Sequence, residues 1–178
     1  MCAAEEYKMY KGRAELTKSD VEKIEKEIRE RKLVEKPKLI EAVKEARAQG
    51  DLSENFEYYA AKKAKNENES RIRYLENMLK TAIIIDDSSK KGEVGINNFV
   101  DLKFTDDGSV ERYKIVTSIR GNSLKNYISI ESPIGKAVLG HKKGDVCTVH
   151  VNDSVSYDVK ILNIDENEDD SLDEIKSF

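Results

Sequence analysis

The chain has 178 residues, 37% of them charged and 38% hydrophobic, with no Trp, two Pro, two Cys and a formal net charge of −4. That length suits one ordinary domain or two small ones, and so much charge implies more surface per residue than a compact sphere carries, so an elongated shape is expected. This balance excludes a protein that coats duplex nucleic acid through bulk charge, and with no apolar run of about 18 residues and no signal-peptide core, no membrane contact is expected and a reducing cytoplasm is the expected compartment.

The charge is unevenly spread. Residues 17–80 carry 16 basic and 14 acidic side chains, and residues 81–164 carry 11 of each. The excess acid lies in "DENEDDSLDE" (165–174), seven carboxylates in ten residues. Such a block repels itself and reads as a solvated, disordered tail.

In chain order, residues 1–13 read as an extension. "LTKSDVEKIEKEIRE" then opens a helix, with Thr17 at the N-cap and Asp20 at capping-box spacing. Val21, Ile24 and Ile28 follow at helical spacing. The stripe falters at Arg31 and Glu35 and resumes through Leu39 or Ile40, Val43 and Ala46. Pro37 sits where it falters, so a kink or break is expected there. Gly50 stands where a helix C′ residue belongs. A second helix is expected at once, with Tyr58, Ala61, Lys65, Asn68, Ile72, Leu75, Leu79 and Ala82 on one seam. Two helices joined by so short a turn form an antiparallel hairpin in which each stripe covers the other. About 30 helical residues span roughly 45 Å.

Near residue 81 the apolar period shortens towards two. Strands are expected in 82–86, 97–107, 110–119, 126–132, 145–151 and 155–164, all rich in Val, Ile, Tyr and Phe. "DDGS" (106–109) is a hairpin turn signal. "SPIGKAVLG" (132–140) reads as one short helix with Ser132 at the N-cap, Pro133 at N1 and Gly140 past the end. The fold class is therefore α+β: a coiled-coil hairpin over 14–82, a small, mostly antiparallel sheet domain with one short helix over 83–164, and an acidic tail over 165–178.

Chemistry-bearing motifs are few. No nucleophile elbow, P-loop, dinucleotide fingerprint or zinc-protease motif occurs. Cys2 and Cys147 match no zinc spacing, and Cys147 and His150 point to opposite faces of one strand. What remains is "EARAQGDLSENFEYYAAKK" (45–63), where Asp51 and Glu54 follow a glycine. Asp at an N-cap with Glu three residues on suits ordinary helix capping. The same two carboxylates at the end of a narrow arm also suit a shared divalent metal, since Mg²⁺ takes oxygen ligands and a partial protein shell. The spacing leaves both open.

The tip segment resembles that of the Gre family of bacterial transcript cleavage factors, of the GreA/GreB type. The resemblance continues through "RIRYLENMLKTAIIID" and "ISIESPIGKAVLGHKKGD" (128–145) and covers roughly residues 14–164. It implies an FKBP-like fold for the sheet domain. It also implies a partner, bacterial RNA polymerase, entered through its secondary channel, and contact with the nascent RNA 3′ end. The implied activity is stimulation of the polymerase's own cleavage of backtracked RNA, with no activity of the isolated chain, which is expected to be a monomer. By resemblance Asp51 and Glu54 help hold a second Mg²⁺ supplied at the polymerase active centre, none being bound by the free protein, and position the attacking water. Arg47, Lys62 and Lys63 match basic residues expected to contact RNA, or serve as solvated charges. Relatives often carry Arg after "YxAA", and Lys62 and Lys63 lack its bidentate fork. Ser132, Pro133 and Ile134 open the segment expected near the polymerase rim, or simply start a helix. The nearly neutral helical half is GreA-like rather than GreB-like. A regulator that occupies the same channel without inducing cleavage is the alternative.

Overall fold

The computed structural model describes residues 13–48, 55–152, 154–166, 170, 171 and 173–176. The chain forms two compact units, one built on Asp20–Ala82 and the other on Ala14–Ser19 with Ile83–Ser177.

The first unit is the helical hairpin. Helix α1 (Lys18–Glu30) starts directly after Thr17, runs into a π turn over Arg31–Glu35, and continues as α2 (Lys36–Ala48). Here the expected kink or break is resolved as an unbroken helix. Pro37 has no N–H to donate, and the π turn absorbs the missing bond: the Lys36 N–H reaches back five residues to Arg31 O. Helix α3 (Phe56–Thr81) returns antiparallel, with Glu27 beside Arg71, Arg31 beside Asn68 and Ala46 beside Asn55. The seam read from the sequence is the packed face. Ile24, Ala46, Asn68, Ile72 and Leu75 are buried, and the remaining seam positions are half-buried. Each buried Ile or Leu contributes about 1.5–3 kcal/mol.

The middle of this seam is polar. Arg71 donates Nε to Glu27 Oε1 at 2.9 Å and Nη2 to Oε2 at 3.1 Å, a two-pronged grip. Arg31 donates Nε to Glu27 Oε1 at 2.7 Å and Nη1 to Asn68 Oδ1 at 3.1 Å. Burial pushes the Glu27 carboxyl up, but the bonds from Arg71 and then Arg31 outweigh it and hold the group below its ordinary value. This network sits where the apolar stripe falters, and it ties residues about 40 apart in sequence into one register.

The second unit contains a two-stranded and a five-stranded sheet. Strand β1 (Glu15–Leu16) pairs in parallel with β2 (Ile83–Ile84). The five-stranded sheet uses β3 (Phe99–Phe104), β4 (Val110–Val116), β5 (Tyr127–Ser129), β6 (Val146–Asn152) and β7 (Val155–Asp165), in the order β5-β4-β3-β7-β6. Its pairs are antiparallel except β4–β5. The β3–β4 turn holds Gly108 at φ 72°, a left-handed conformation that favours glycine. Val100, Leu102, Ile115, Val149, Val159 and Ile161 are fully buried, and helix α4 (Pro133–Val138) closes that core with Val138. Gly135 of α4 lies so close to β5 that a Cβ there would sit 2.1 Å from Ser129 O.

The tail departs from expectation. Asp173 is 5% exposed, and its carboxylate pairs with the buried Lys114 and Arg120. A buried cation needs an opposite charge with good geometry, and Asp173 supplies it, while Ser171, Glu174 and Lys176 are exposed as the composition suggests. Glu166, directly after β7, accepts the Gly92 N–H at 2.7 Å.

Candidate functional site

The end of the hairpin is pinned by one side chain. Asn55 Oδ1 accepts the Tyr58 N–H at 2.9 Å, which makes Asn55 the N-cap of α3. Its Nδ2 donates to Ala46 O, near the end of α2, at 2.7 Å. One amide therefore satisfies an orphan donor of one helix and an orphan acceptor of the other. Between these anchors runs the α2–α3 connection with Asp51 and Glu54, which both lie outside the described residues, as does Gly50. The capping task that Asp51 suits by its spacing is done for α3 by Asn55.

Next to the pinned end stands a cationic and aromatic cluster. The Arg47 guanidinium lies 5.7 Å from the Tyr58 ring centre, and Lys62 Nζ lies 5.8 Å from it. The Arg47 side chain, then the Lys62 charge, hold the Tyr58 phenol below its ordinary pKa. Tyr59 packs edge-on against Tyr58 at 5.7 Å and is 53% exposed, while Phe56 is 87% exposed. Lys63 is not in this cluster; it faces Glu67 at 3.8 Å on the outer side of α3. The structure thus brings together Arg47 and Lys62 from opposite arms, around a tyrosine whose spacing places it only on the packing seam. Asn55 was missed as well, although its position two residues before a Glu-Tyr-Tyr run of helix is a cap signal equal to that of Asp51.

In the sheet unit, Ser132 caps α4. Its Oγ accepts the Gly135 N–H at 3.0 Å and donates to Ser129 O at 2.7 Å. Pro133 is exposed, and Ile134 is half-buried against the sheet core. Cys147 is buried, and burial pushes its thiol up, as expected of an inert packing residue. Among the described residues no group of three or more His, Cys, Asp or Glu is placed to hold a metal, and no helix is long and apolar enough to cross a membrane.

Two family models match the chain, one after the other. Residues 14–84 match the transcription elongation factor N-terminal model, and residues 89–166 match the GreA/GreB C-terminal model. The chain belongs to the GreA/GreB family of transcription elongation factors. Similar proteins include transcription elongation factor GreA of Streptococcus gordonii, 44% identical over 151 residues, covering 84% of this chain and 94% of that protein. GreA of Staphylococcus saprophyticus is 39% identical over 149 residues, with the same shares covered. A solved GreA factor homolog 1 of Thermus thermophilus is 26% identical and covers 85% of this chain and 98% of its own, at a TM-score of 0.41. Within the family-matched length, the hairpin and the sheet unit correspond to the N-terminal and C-terminal models.

Proposed function

We propose that this GreA/GreB-family chain binds bacterial RNA polymerase through the secondary channel and stimulates the polymerase's own hydrolysis of the RNA 3′ end in backtracked complexes. The observation that carries the reading is the Asn55 clasp: it closes the two helices onto each other just before a short connection that holds Asp51 and Glu54. A paired-helix arm is thin, and carboxylates in its turn can enter a channel that a globular domain cannot. Two carboxylates are too few for a complete magnesium shell, so the polymerase, the RNA phosphate and water supply the rest. A magnesium ion held in this way makes a bound water more acidic and steadies the leaving oxygen.

The chain's own groups do the positioning. Asp51 and Glu54 orient the attacking water and accept its proton. Arg47 and Lys62, held on either side of Tyr58, meet the backbone phosphates of the extruded RNA. Pro133, at the start of α4, is the exposed member of the segment assigned to the polymerase rim, and Ser132 and Ile134 hold that helix in place. The isolated chain has no cleavage activity in this account.

The test is a stalled, backtracked elongation complex incubated with the protein and Mg²⁺, with RNA shortening followed from the 3′ end. The parent should cleave rapidly. Asp51→Ala and Glu54→Ala should cleave little while still binding polymerase. Undiminished cleavage by both variants would refute their role, and binding without cleavage by the parent would establish a channel-occupying regulator instead.

A further inference from the structure

Two aromatic rings stand on the outer face of α3, next to the pinned end of the hairpin. Phe56, the first residue of the helix, is 87% exposed, and Tyr59, three residues on, is 53% exposed. Residues three apart on a helix are neighbours, with roughly 5–6 Å between their Cβ atoms, so the two rings share one face. Tyr58 braces Tyr59, their ring centres 5.7 Å apart. Beyond Tyr59 the face continues as a shallow groove lined by Tyr59, Lys62, Lys63, Asn66, Glu67 and Ser70. Cations border it on the side of α2: Lys62 Nζ and the Arg47 guanidinium lie 5.8 and 5.7 Å from the Tyr58 ring centre.

Neither ring serves the fold. The hairpin seam is packed by Ile24, Ala46, Asn68, Ile72 and Leu75, and α3 is capped by Asn55. Two adjacent exposed aromatics gain nothing in the free chain and mark a contact surface. The chemistry beside them selects the partner. From Phe56 to Asn66 the helix carries Lys62, Lys63 and Lys65 against the single acid Glu57. Lys63 and Lys65 face Glu67 and Glu69 at 3.8 and 3.6 Å, which leaves Lys62 and Arg47, at the Tyr58 ring, as the cations nearest the aromatic pair. Cations in one row and aromatic rings in the next suit a single strand, whose phosphates follow the charge while its bases turn onto the rings. A duplex keeps its base faces stacked inside and cannot use both rows.

We propose that Phe56 and Tyr59 are stacking platforms for two successive bases of the single-stranded RNA that the arm meets, with Arg47 and Lys62 on phosphates of the same strand. The choice of strand rests on the cleavage reading above, whereas the stacking itself needs no cleavage. Stacking holds the strand still while the carboxylates of the turn act on it. Every base has a π face, so the platform accepts any sequence, and purines, with the larger face, stack more strongly. Each ring contributes about tenfold in affinity.

The test uses the full-length chain and a short single-stranded RNA carrying 2-aminopurine, whose fluorescence falls when the base stacks. At low salt the parent should quench it. Tyr59→Phe keeps the ring and should quench as the parent does. Phe56→Ala with Tyr59→Ala, at two exposed positions that leave the packed seam intact, should bind at least tenfold more weakly and leave the probe bright. Equal quenching by the parent and the double variant, or none by the parent, would overturn the proposal. In backtracked complexes, an abasic site in the extruded RNA should slow cleavage by the parent about tenfold and leave the already lower rate of the double variant unchanged. Cleavage that ignores both the missing base and the missing rings would overturn the stacking and leave the cleavage reading standing. Quenching by the parent without cleavage would uphold the stacking and refute the cleavage reading. A double variant that loses polymerase affinity while quenching the RNA as the parent does would assign the pair to a protein surface and overturn the proposal.

Discussion

Replacing Asn55 should loosen the end of the hairpin by an amount the two bonds it makes allow to be worked out. The N-cap bond from Oδ1 to the Tyr58 N–H is worth about 1 kcal/mol. The bond from Nδ2 to Ala46 O is worth about 1 kcal/mol more, because losing it leaves a half-buried helix carbonyl without its donor. Asn55→Ala should therefore cost about 2 kcal/mol, close to a 30-fold rise in local opening at 1.36 kcal/mol per factor of ten. Asn55→Ser keeps a capping oxygen and loses the donor, so it should cost about half as much. Hydrogen exchange at the Tyr58 and Tyr59 amides reads this opening directly, and cleavage of backtracked RNA should fall in the same order, parent above Ser above Ala, with polymerase binding kept. Protection in Asn55→Ala equal to that of the parent, or a Ser variant as loose as the Ala variant, would refute the two-bond reasoning.

Arg71→Met leaves Glu27 half-buried with one of its two cationic partners gone and should destabilise the hairpin by about 3 kcal/mol in urea unfolding, whereas Glu27→Leu with Arg71→Met should recover most of that loss. Because Glu27 sits below its ordinary value of 4.5 in the folded protein, its contribution is complete above that pH and disappears as pH falls through the depressed value. Acid unfolding of Glu27→Gln should accordingly lose part of the parent's pH dependence below about 4.5. Gly135→Ala drives a Cβ into Ser129 O and should destabilise the sheet unit by about 1–3 kcal/mol, with a hairpin transition unchanged. Tyr58→Ala removes the ring between Arg47 and Lys62 and should weaken cleavage more than Lys63→Ala, since Lys63 stands apart at Glu67.

Much of the architecture was legible because the apolar period changes once, near residue 81, and turn residues punctuate the strands beyond it. Ser132, Pro133 and Gly140 bound α4 as their chemistry requires, and Gly108 takes the turn conformation its neighbours announce. Strand β1 was not legible, because two residues cannot show an alternation and their partner lies in Ile83–Ile84. The π turn left a trace, the faltering stripe beside Pro37, but nothing in the spacing told a widened helix from a broken one. The cap was ambiguous in kind: Asp51 and Asn55 are both good cap residues four apart, and it is the bond from the Tyr58 N–H to Asn55 Oδ1 that identifies Asn55 as the cap of α3. Nothing in the local spacing pairs Lys114 and Arg120 with Asp173, which is 59 and 53 residues away in a stretch whose composition suggests disorder. Asp51 and Glu54 themselves rest on the sequence and on the anchors at either side of them.

The most direct test of the central claim is the Mg²⁺ dependence of RNA shortening in backtracked complexes, compared among the parent, Asp51→Asn and Glu54→Gln. Carboxylates that help hold the ion predict a half-saturating Mg²⁺ concentration raised at least tenfold in each variant, with part of the rate restored at high Mg²⁺. An unchanged Mg²⁺ requirement in both variants would contradict the account.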